Sequence, residues 1–388
     1  MASLGLLSEE RRAVFPLAGI FGLRLFGLFA LLPVMSLAEG LYPGATAEQM
    51  GLALGIYGLS QGLFQLPFGV LSDRYPRHIV VTFGLFIFVL GSVVAAEAST
   101  IYGLLLGRAI QGAGAVGSCL LAMIADTTRD TVRNRAMAMV GGMVGLAFVL
   151  AMVLSPILFA AGGLKLIFWL IAGFTLLAIG VLWKWVPRSP PNKMQRPVLK
   201  EQLKALFSDK QLLGLTTAVL LLHALLTLLF LALPKWLISK WGLAATDTSW
   251  FYAGALLLML IGFVPWVMKL DRSTDQSRSI RMAALCMSLA LALLFVASTV
   301  YVALVLLALF FVGFNVLETV LPAATSQAAK ARDKGAALGL FSTAQFVGTF
   351  IGGSIGGVIL ASWHEKGVLA AALTVACGLY GLGMYLKK

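Results

Sequence analysis

The stretch Leu66–Val81, LPFGVLSDRYPRHIVV, decides how the rest of the chain is read. It starts inside one long apolar run, breaks into a polar stretch containing Asp73, Arg74 and Arg77, and enters a second apolar run. So short a break between two runs of that length reads as a tight hairpin joining two transmembrane helices. Gly69 has no side chain, so a neighbouring helix can approach closely there. Asp73 stands where a carboxylate can face a helix N-terminus or an arginine of a neighbouring loop.

The same pattern fills the chain outward from that hairpin. With 60% hydrophobic and 12% charged residues, the 388-residue sequence is not that of a soluble domain. Twelve apolar runs cover roughly 14–38, 49–72, 78–96, 101–125, 136–160, 164–186, 212–237, 249–268, 281–297, 300–324, 335–362 and 368–386. Runs this long cross a bilayer as helices and are too long for the strands of a barrel. Glu9, Glu10, Arg11 and Arg12 precede the first run, and no signal-peptide cleavage site follows it. The fold class expected is an all-α membrane protein with twelve transmembrane helices.

The net charge of +13 is distributed by side. With the N-terminus inside, 23 of the 29 lysines and arginines fall in cytoplasmic segments. Lys165, Lys235, Lys240 and Lys366 fall on the other side, and Arg24 and Arg108 lie within runs. The excess places both termini in the cytoplasm. Basic charge here is a topology signal, and nucleic acid is not expected as a partner. Cys119, Cys286 and Cys377 sit in three separate apolar runs without ligand spacing, so neither a disulfide framework nor a metal site is expected.

The halves repeat. Phe64, Pro67, Asp73 and Arg74 correspond to Phe263, Pro265, Asp271 and Arg272, with proline six residues before Asp-Arg in each. Tyr102 and Tyr301, Arg135 and Lys334, and Ser155 and Ser354 each lie 199 residues apart. Leu31–Pro33 likewise matches Ala232–Pro234. This predicts a six-helix bundle over 1–187, a cytoplasmic linker over 188–210 and a second six-helix bundle over 211–388. A binding site is expected between the two pseudo-symmetric bundles near the midplane. The linker carries Pro190, Pro191 and Pro197, and 198–207 reads as an amphipathic helix on the inner membrane surface, attracted to anionic lipid.

Two motifs give the chain a resemblance. The pattern G-x-L-[AS]-D-R-x-G-R-[KR]-x-x-[ILV] is the loop signature of the major facilitator superfamily. Seven of its nine specified positions match, at Gly69, Leu71, Ser72, Asp73, Arg74, Arg77 and Val81, while Pro76 and His78 depart from it. The fourth run carries Leu104-x-x-x-Arg108-x-x-Gln111-Gly112-x-Gly114-Ala115, which resembles the superfamily motif with a helix-buried arginine associated with proton coupling. The antiporter signature of the fifth run is poorly matched, with Ser155-Pro156 for Gly-Pro and Phe159-Ala160 for the glycine pair.

Over nearly its whole length the sequence looks like the YajR-type branch of bacterial drug:proton antiporters. The segments that carry this are GIYGLSQGLFQLPFGVLSDR, GRAIQGAG, FNVLETVLP and FSTAQFVGTFIGGSIGG. That branch continues into a soluble C-terminal domain, whereas this sequence ends at Lys388, directly after the twelfth run. The resemblance implies the major facilitator fold, a bacterial inner-membrane location and a monomer whose partners are protons, a small-molecule substrate and lipid.

No nucleophile–base pair, metal cluster or cofactor motif appears, so enzymatic chemistry is not expected and no cofactor is implied. The glycine-rich Gly352–Gly357 sits in a membrane run and reads as a close-packing surface. In the superfamily, helices 1, 4, 7 and 10 line the central cavity. Arg24, Arg108, His223 and Glu318 fall on those four. Intramembrane ionisable groups are costly and mark functional paths. Proton coupling is therefore expected of Glu318, Arg108 and Arg24, with Asp126 as a further carrier.

Asn315, on the face of Glu318, and Gln111, on the face of Arg108, are candidate substrate contacts. With them stand His223 and the stripe Tyr57, Gln61 and Gln65. Each has a structural alternative. Glu318 can pair with Arg24 or Arg108 to hold the bundles together, His223 can be a satisfied core histidine, and the stripe can be interhelical glue. Gly69, Asp73, Arg74, Arg77 and Arg133 are expected to form a conformational gate, in which Asp126 joins the arginines at 129, 133 and 135. The other reading of that region is a solvated basic loop that serves topology alone.

These readings converge on proton-driven export of small amphipathic or cationic organic compounds by alternating access. Proton-coupled uptake of a small metabolite or siderophore, and a membrane sensor without transport, are the alternatives. The topology is tested by accessibility. Gly44→Cys and Trp363→Cys are expected to react with an impermeant thiol reagent added to intact cells, and Asn192→Cys is not. Labelling at position 192 would overturn the arrangement.

Overall fold

The computed structural model describes residues 5–188, 208–270, 276–330 and 334–386. The expected amphipathic segment 198–207 and the repeat residues Asp271 and Arg272 lie outside the described residues. The helices are α1 (Ser8–Phe29), α2 (Ala47–Arg74), α3 (Arg77–Ala96), α4 (Ile101–Ala113), α5 (Gly117–Asp126), α6 (Asp130–Trp185), α7 (Lys210–Trp241), α8 (Thr248–Leu270), α9 (Gln276–Val296), α10 (Val300–Ala328) and α11 (Lys334–Tyr385).

Their starts are written in short-range chemistry. Thr46 and Gln49 exchange side-chain and backbone hydrogen bonds at the head of α2. Asp209 caps α7 by accepting from the amides of Gln211 and Leu212. Thr100 caps α4 and Thr299 caps α10. These two caps stand 199 residues apart, the offset at which the sequence repeats.

The two longest helices are each two rods. α6 breaks at Gly162 and Gly163, where Gly163 takes a positive φ of 62°, a conformation that a side chain would strain. α11 breaks at His364, which adopts φ 54°. Among the described residues nine helical spans are long and apolar enough to cross a membrane, α4 and α5 together counting as one. Two of them are these broken pairs, and the more polar α2, at 28 residues, is also long enough to span, so the helices are consistent with twelve crossings. Large apolar side chains such as Phe83, Phe86, Leu177, Leu257 and Ile261 lie exposed on the outer surface. In water such a belt would be a liability, and in a bilayer it is the solvent-matched face.

The chain ends share one face. A Cβ placed on Gly214, near the start of α7, would meet Leu386, and Gly5 accepts a hydrogen bond from Arg129 in the α5–α6 loop. We call this the terminal face, and its opposite, which holds the 3-10 segment Met35–Leu41, the far face. At the far face the halves are fused. One apolar core runs through Leu31, Met35, Leu54 and Phe168 of the first half and Leu229, Trp236, Phe251 and Leu360 of the second. Near the terminal face the first half has a separate core of its own, around Leu17, Leu85, Leu120 and Leu182.

Glycines set the angle between the halves. A Cβ on Gly55 of α2 would lie 2.8 Å from the Phe350 carbonyl of α11, and one on Gly353 would lie 2.6 Å from the Gly51 carbonyl. At Gly62 the nearest α11 atom is 3.6 Å away, and at Gly69 no α11 atom lies within 4 Å. The helices therefore part toward the terminal face. Gly141, Gly142 and Gly145 of α6 and Gly335 and Gly339 of α11 face open space. The cleft between the bundles is shut at the far face and open at the terminal one.

A side chain at the seam should force it apart. Gly353→Leu is expected to lengthen spin-label distances across the far face and to lower thermal stability, with overpacking costing about 1–3 kcal/mol. Gly142→Leu, which enters open space, is expected to leave both unchanged. Equal effects of the two substitutions would refute the seam.

Candidate functional site

Two polar clusters sit at mid-depth, one in each bundle. In the second, α7 supplies His223 from an otherwise apolar turn. Its Nδ1–H donates to the Val219 carbonyl at 3.1 Å, which leaves Nε2 as an acceptor. The side-chain amide of Gln345, on α11, comes to 2.7 Å from that Nε2, and Glu318 Oε1, on α10, to 3.5 Å. Glu318 Oε1 has no hydrogen-bond partner, yet the side chain is one-third exposed, on the cleft wall. Phe314 packs its ring 6.1 Å from that of His223.

The first bundle holds two arginines and no carboxylate beside them. Arg24 is 2% exposed and donates through Nη2 to Gln61 Oε1. Arg108 is fully buried; its Nε donates to the Ala53 carbonyl at 3.1 Å and its Nη1 to Gln111 Oε1. Gln111 in turn donates to Ser92 at 2.8 Å. The guanidinium of Arg108 lies 4.4 Å from the centre of the Tyr57 ring, and that of Arg24 lies 5.8 Å from the centre of Phe88. Oriented amide dipoles and ring faces thus stabilise both cations out of water.

This placement revises several expectations. Neither Arg24 nor Arg108 pairs with Glu318, because both turn into their own bundle and find acceptors there. Tyr57, Gln61 and Gln111 serve those arginines and are at most 1% exposed, so a ligand in the cleft reaches none of them in this state. Gln65 is also buried. Asn315 shares the face of Glu318 but donates to the Phe311 carbonyl at 2.9 Å, and it makes no hydrogen bond to Glu318 Oε1. His223, read from sequence as a lone residue, belongs to the Glu318 cluster. Gln345 completes that cluster and was missed; its only signal is a polar residue within an apolar run.

On the terminal face Asp126 meets Arg77 at 2.8 Å and not the arginines that follow it in sequence. Arg129 turns instead to Glu10, at 2.9 Å, and this partner raises the affinity of its guanidinium for its proton. Arg133 pairs with Asp130 one turn away. These contacts all lie within the first bundle, which is why they leave the cleft open. Asp73 is half-buried and Arg74 exposed beside them.

The far face is closed by groups from both halves. Phe29 and Phe148 of the first meet Phe230 and Phe311 of the second, Phe148 standing 5.7 Å from Phe311 between ring centres. Beside this aromatic roof Lys235 of α7 reaches Glu39 of the 3-10 segment at 2.6 Å. Glu318 lies seven residues beyond Phe311, about 10 Å nearer the terminal face. A second far-face carboxylate, Glu97, is held below its ordinary range by hydrogen bonds from Lys165 and Trp169. The Glu39–Lys235 pairing escaped the sequence reading, which took Lys235 only as a charge of the non-cytoplasmic side and passed over Glu39.

Comparison with known proteins agrees with this architecture. A family model described as Major Facilitator Superfamily matches residues 15–353 and 215–388. The Escherichia coli K12 inner membrane transport protein YajR is 36% identical over 370 residues, covering 95% of this chain and 81% of that protein. Multidrug resistance protein 1 of Bacillus subtilis is 24% identical over 364 residues, with 91% of each chain covered. Among solved structures, an inward-facing bacterial homologue of the human lysosomal transporter Spinster superposes with a TM-score of 0.76 over 99% of this chain and 98% of that one, at 13% identity. A D-xylose–proton symporter does so with a TM-score of 0.75 over 97% of each, at 15% identity. At those identities the structural likeness speaks for the fold alone.

The Glu39–Lys235 pair is half-exposed, so its share in far-face closure should be modest, about 0.2–1 kcal/mol. Lys235→Met is expected to raise the far-side-open population up to about fivefold, as read by spin-label distances across that face. An unchanged distribution would mean that the roof and the seam hold it alone.

Proposed function

This chain belongs to the major facilitator superfamily, and from that premise we propose that it is a proton-coupled exporter of small amphipathic or cationic organic compounds. It works by alternating access as a monomer within the bacterial inner membrane, with both termini cytoplasmic. Bundles 1–187 and 211–388 rock about the tether 188–210, and the terminal face is the cytoplasmic mouth. The state described above is then the one that takes up cargo from inside.

The observation that supports the reading most is Glu318. It is a carboxylate on the wall of the open cleft, reached by water, beside a histidine and apart from both buried arginines. A carboxylate in that position can carry a proton or meet a cation, and the two compete for it. A proton entering from outside drives the exchange, and the membrane potential contributes about 2.3 kcal/mol per charge per 100 mV. The partly exposed rings of Phe29 and Phe148, at the edge of the aromatic roof, offer an apolar surface to the rest of the cargo. Multidrug-resistance proteins among the relatives favour export over uptake. Arg24 and Arg108 keep the first bundle electropositive and so favour release of the proton. When the cytoplasmic mouth closes, Gly69 lets a helix of the second bundle approach, and Asp73, Arg74, Arg77 and Arg133 form the lock.

Glu318→Gln tests this. Reconstituted in liposomes, the variant is expected to bind neutral ligands as the parent does and to lose efflux driven by a pH gradient. Full gradient-driven exchange by the variant would make Glu318 structural and pass its role to Asp126.

A further inference from the structure

We propose that Gln345 is the positioning residue that converts the proton state of the His223–Glu318 pair into movement at the seam between the bundles. The proposal rests on the reading of Glu318 as proton carrier. It begins from a conflict of hydrogen bonds at one atom. With Nδ1–H committed to the Val219 carbonyl, His223 Nε2 has a single lone pair, and the Gln345 amide nitrogen at 2.7 Å occupies it. Glu318 Oε1, 3.5 Å from the same nitrogen, has no hydrogen bond. A proton arriving on Glu318 would seek that lone pair, and a proton arriving on Nε2 would point at the amide N–H. In either case the Gln345 donor is displaced, and the side chain must turn its carbonyl oxygen inward or withdraw.

The position of Gln345 on α11 makes that displacement consequential. Its backbone carbonyl accepts from Thr349 at 3.3 Å. Phe346 and Thr349 are the α11 residues against Gly58 of α2, where a Cβ would lie 2.6 Å from the Phe346 carbonyl and 3.2 Å from Thr349 Cβ. On its other side α11 sets Gly348 against the Leu220 carbonyl and Gly352 against Ala224 of α7, the turn that carries His223. From the imidazole to the inter-bundle seam there is one continuous, backbone-close path with no loose side chain in it.

The charged surroundings are sparse. α7 carries no other ionisable group between Lys210 and Lys235, and α11 none between Lys334 and His364. α10 brings Glu318, with Tyr301 at its far end, and α9 brings Cys286, with Arg278 and Arg281 at its start. Across the seam α2 presents Tyr57, turned toward Arg108, and α1 carries Arg24, committed to Gln61. Protons that act on this cluster therefore act on His223 and Glu318.

The test measures conformation and needs no cargo. Spin-label distances across the terminal face are recorded between about pH 5.5 and about pH 8.5 for parent, Glu318→Gln and Gln345→Met in nanodiscs. Methionine keeps the length and volume of glutamine without its hydrogen bonds. The parent is expected to shift its open fraction with pH, and Glu318→Gln and Gln345→Met are expected to lose that shift. Nitrogen-15 spectra of the three histidines, with His223→Asn to assign the signal, are expected to show the Nδ1–H form of His223 in the parent and mixed tautomers in Gln345→Met. A full shift in Gln345→Met, or a tautomer that does not respond to it, overturns the role of Gln345 while leaving Glu318 as carrier. If the parent shows no pH dependence at all, the proton-coupled reading itself fails.

Discussion

Everything in this molecule depends on three helices lying backbone to backbone. α11 is held between α7 and α2, with Gly348 and Gly352 on one side and Gly353 and Gly357 on the other. In lipid there is no hydrophobic gain from pushing helices together, so association relies on close van der Waals contact, which small residues permit. Because these glycines cluster toward the far end of α2, the contact has a wide end and a tight end. The V-shaped cleft is the geometric result, and the depth at which Glu318 meets water follows from it.

The polar interior is divided by the same geometry. The first bundle keeps its two arginines in a closed set of amides, carbonyls and rings, while the second keeps its carboxylate at the cleft. An ion pair between them would have tied the halves together through the middle and left the desolvated partners stranded whenever the halves parted. Satisfying each cluster within its own bundle removes that penalty. What joins the halves is then confined to the far face: the glycine seam, the phenylalanine roof and the Glu39–Lys235 pair.

Much of this was legible in the sequence. Apolar runs of membrane-spanning length, the 199-residue offset and the loop around Asp73 suffice for the fold, because hydrocarbon leaves the backbone few options. Polar residues within apolar runs picked out both clusters, since each such residue is costly and must be placed deliberately. Which polar group faces which was not legible. Arg24 turns to Gln61 and not to Glu318, and Asp126 turns to Arg77 and not to its sequence neighbours. Those choices depend on helix rotation, which a shift of one residue changes by 100 degrees. The Glu39–Lys235 pairing and Gln345 were passed over for a related reason. A charge near a helix end, or an amide in a helix, acquires meaning only from the partner opposite.

The seam also bears on how such a protein can diversify. Its closure is built from main-chain atoms at glycines, whereas the cleft is roofed and walled by side chains such as Phe148, Asn315 and Glu318. The two draw on different parts of the sequence. Drift in the wall can alter what fits without disturbing the joint, while almost any drift in the joint adds a Cβ where there is no room. The chain is thus partitioned into positions free to explore chemistry and positions bound to silence.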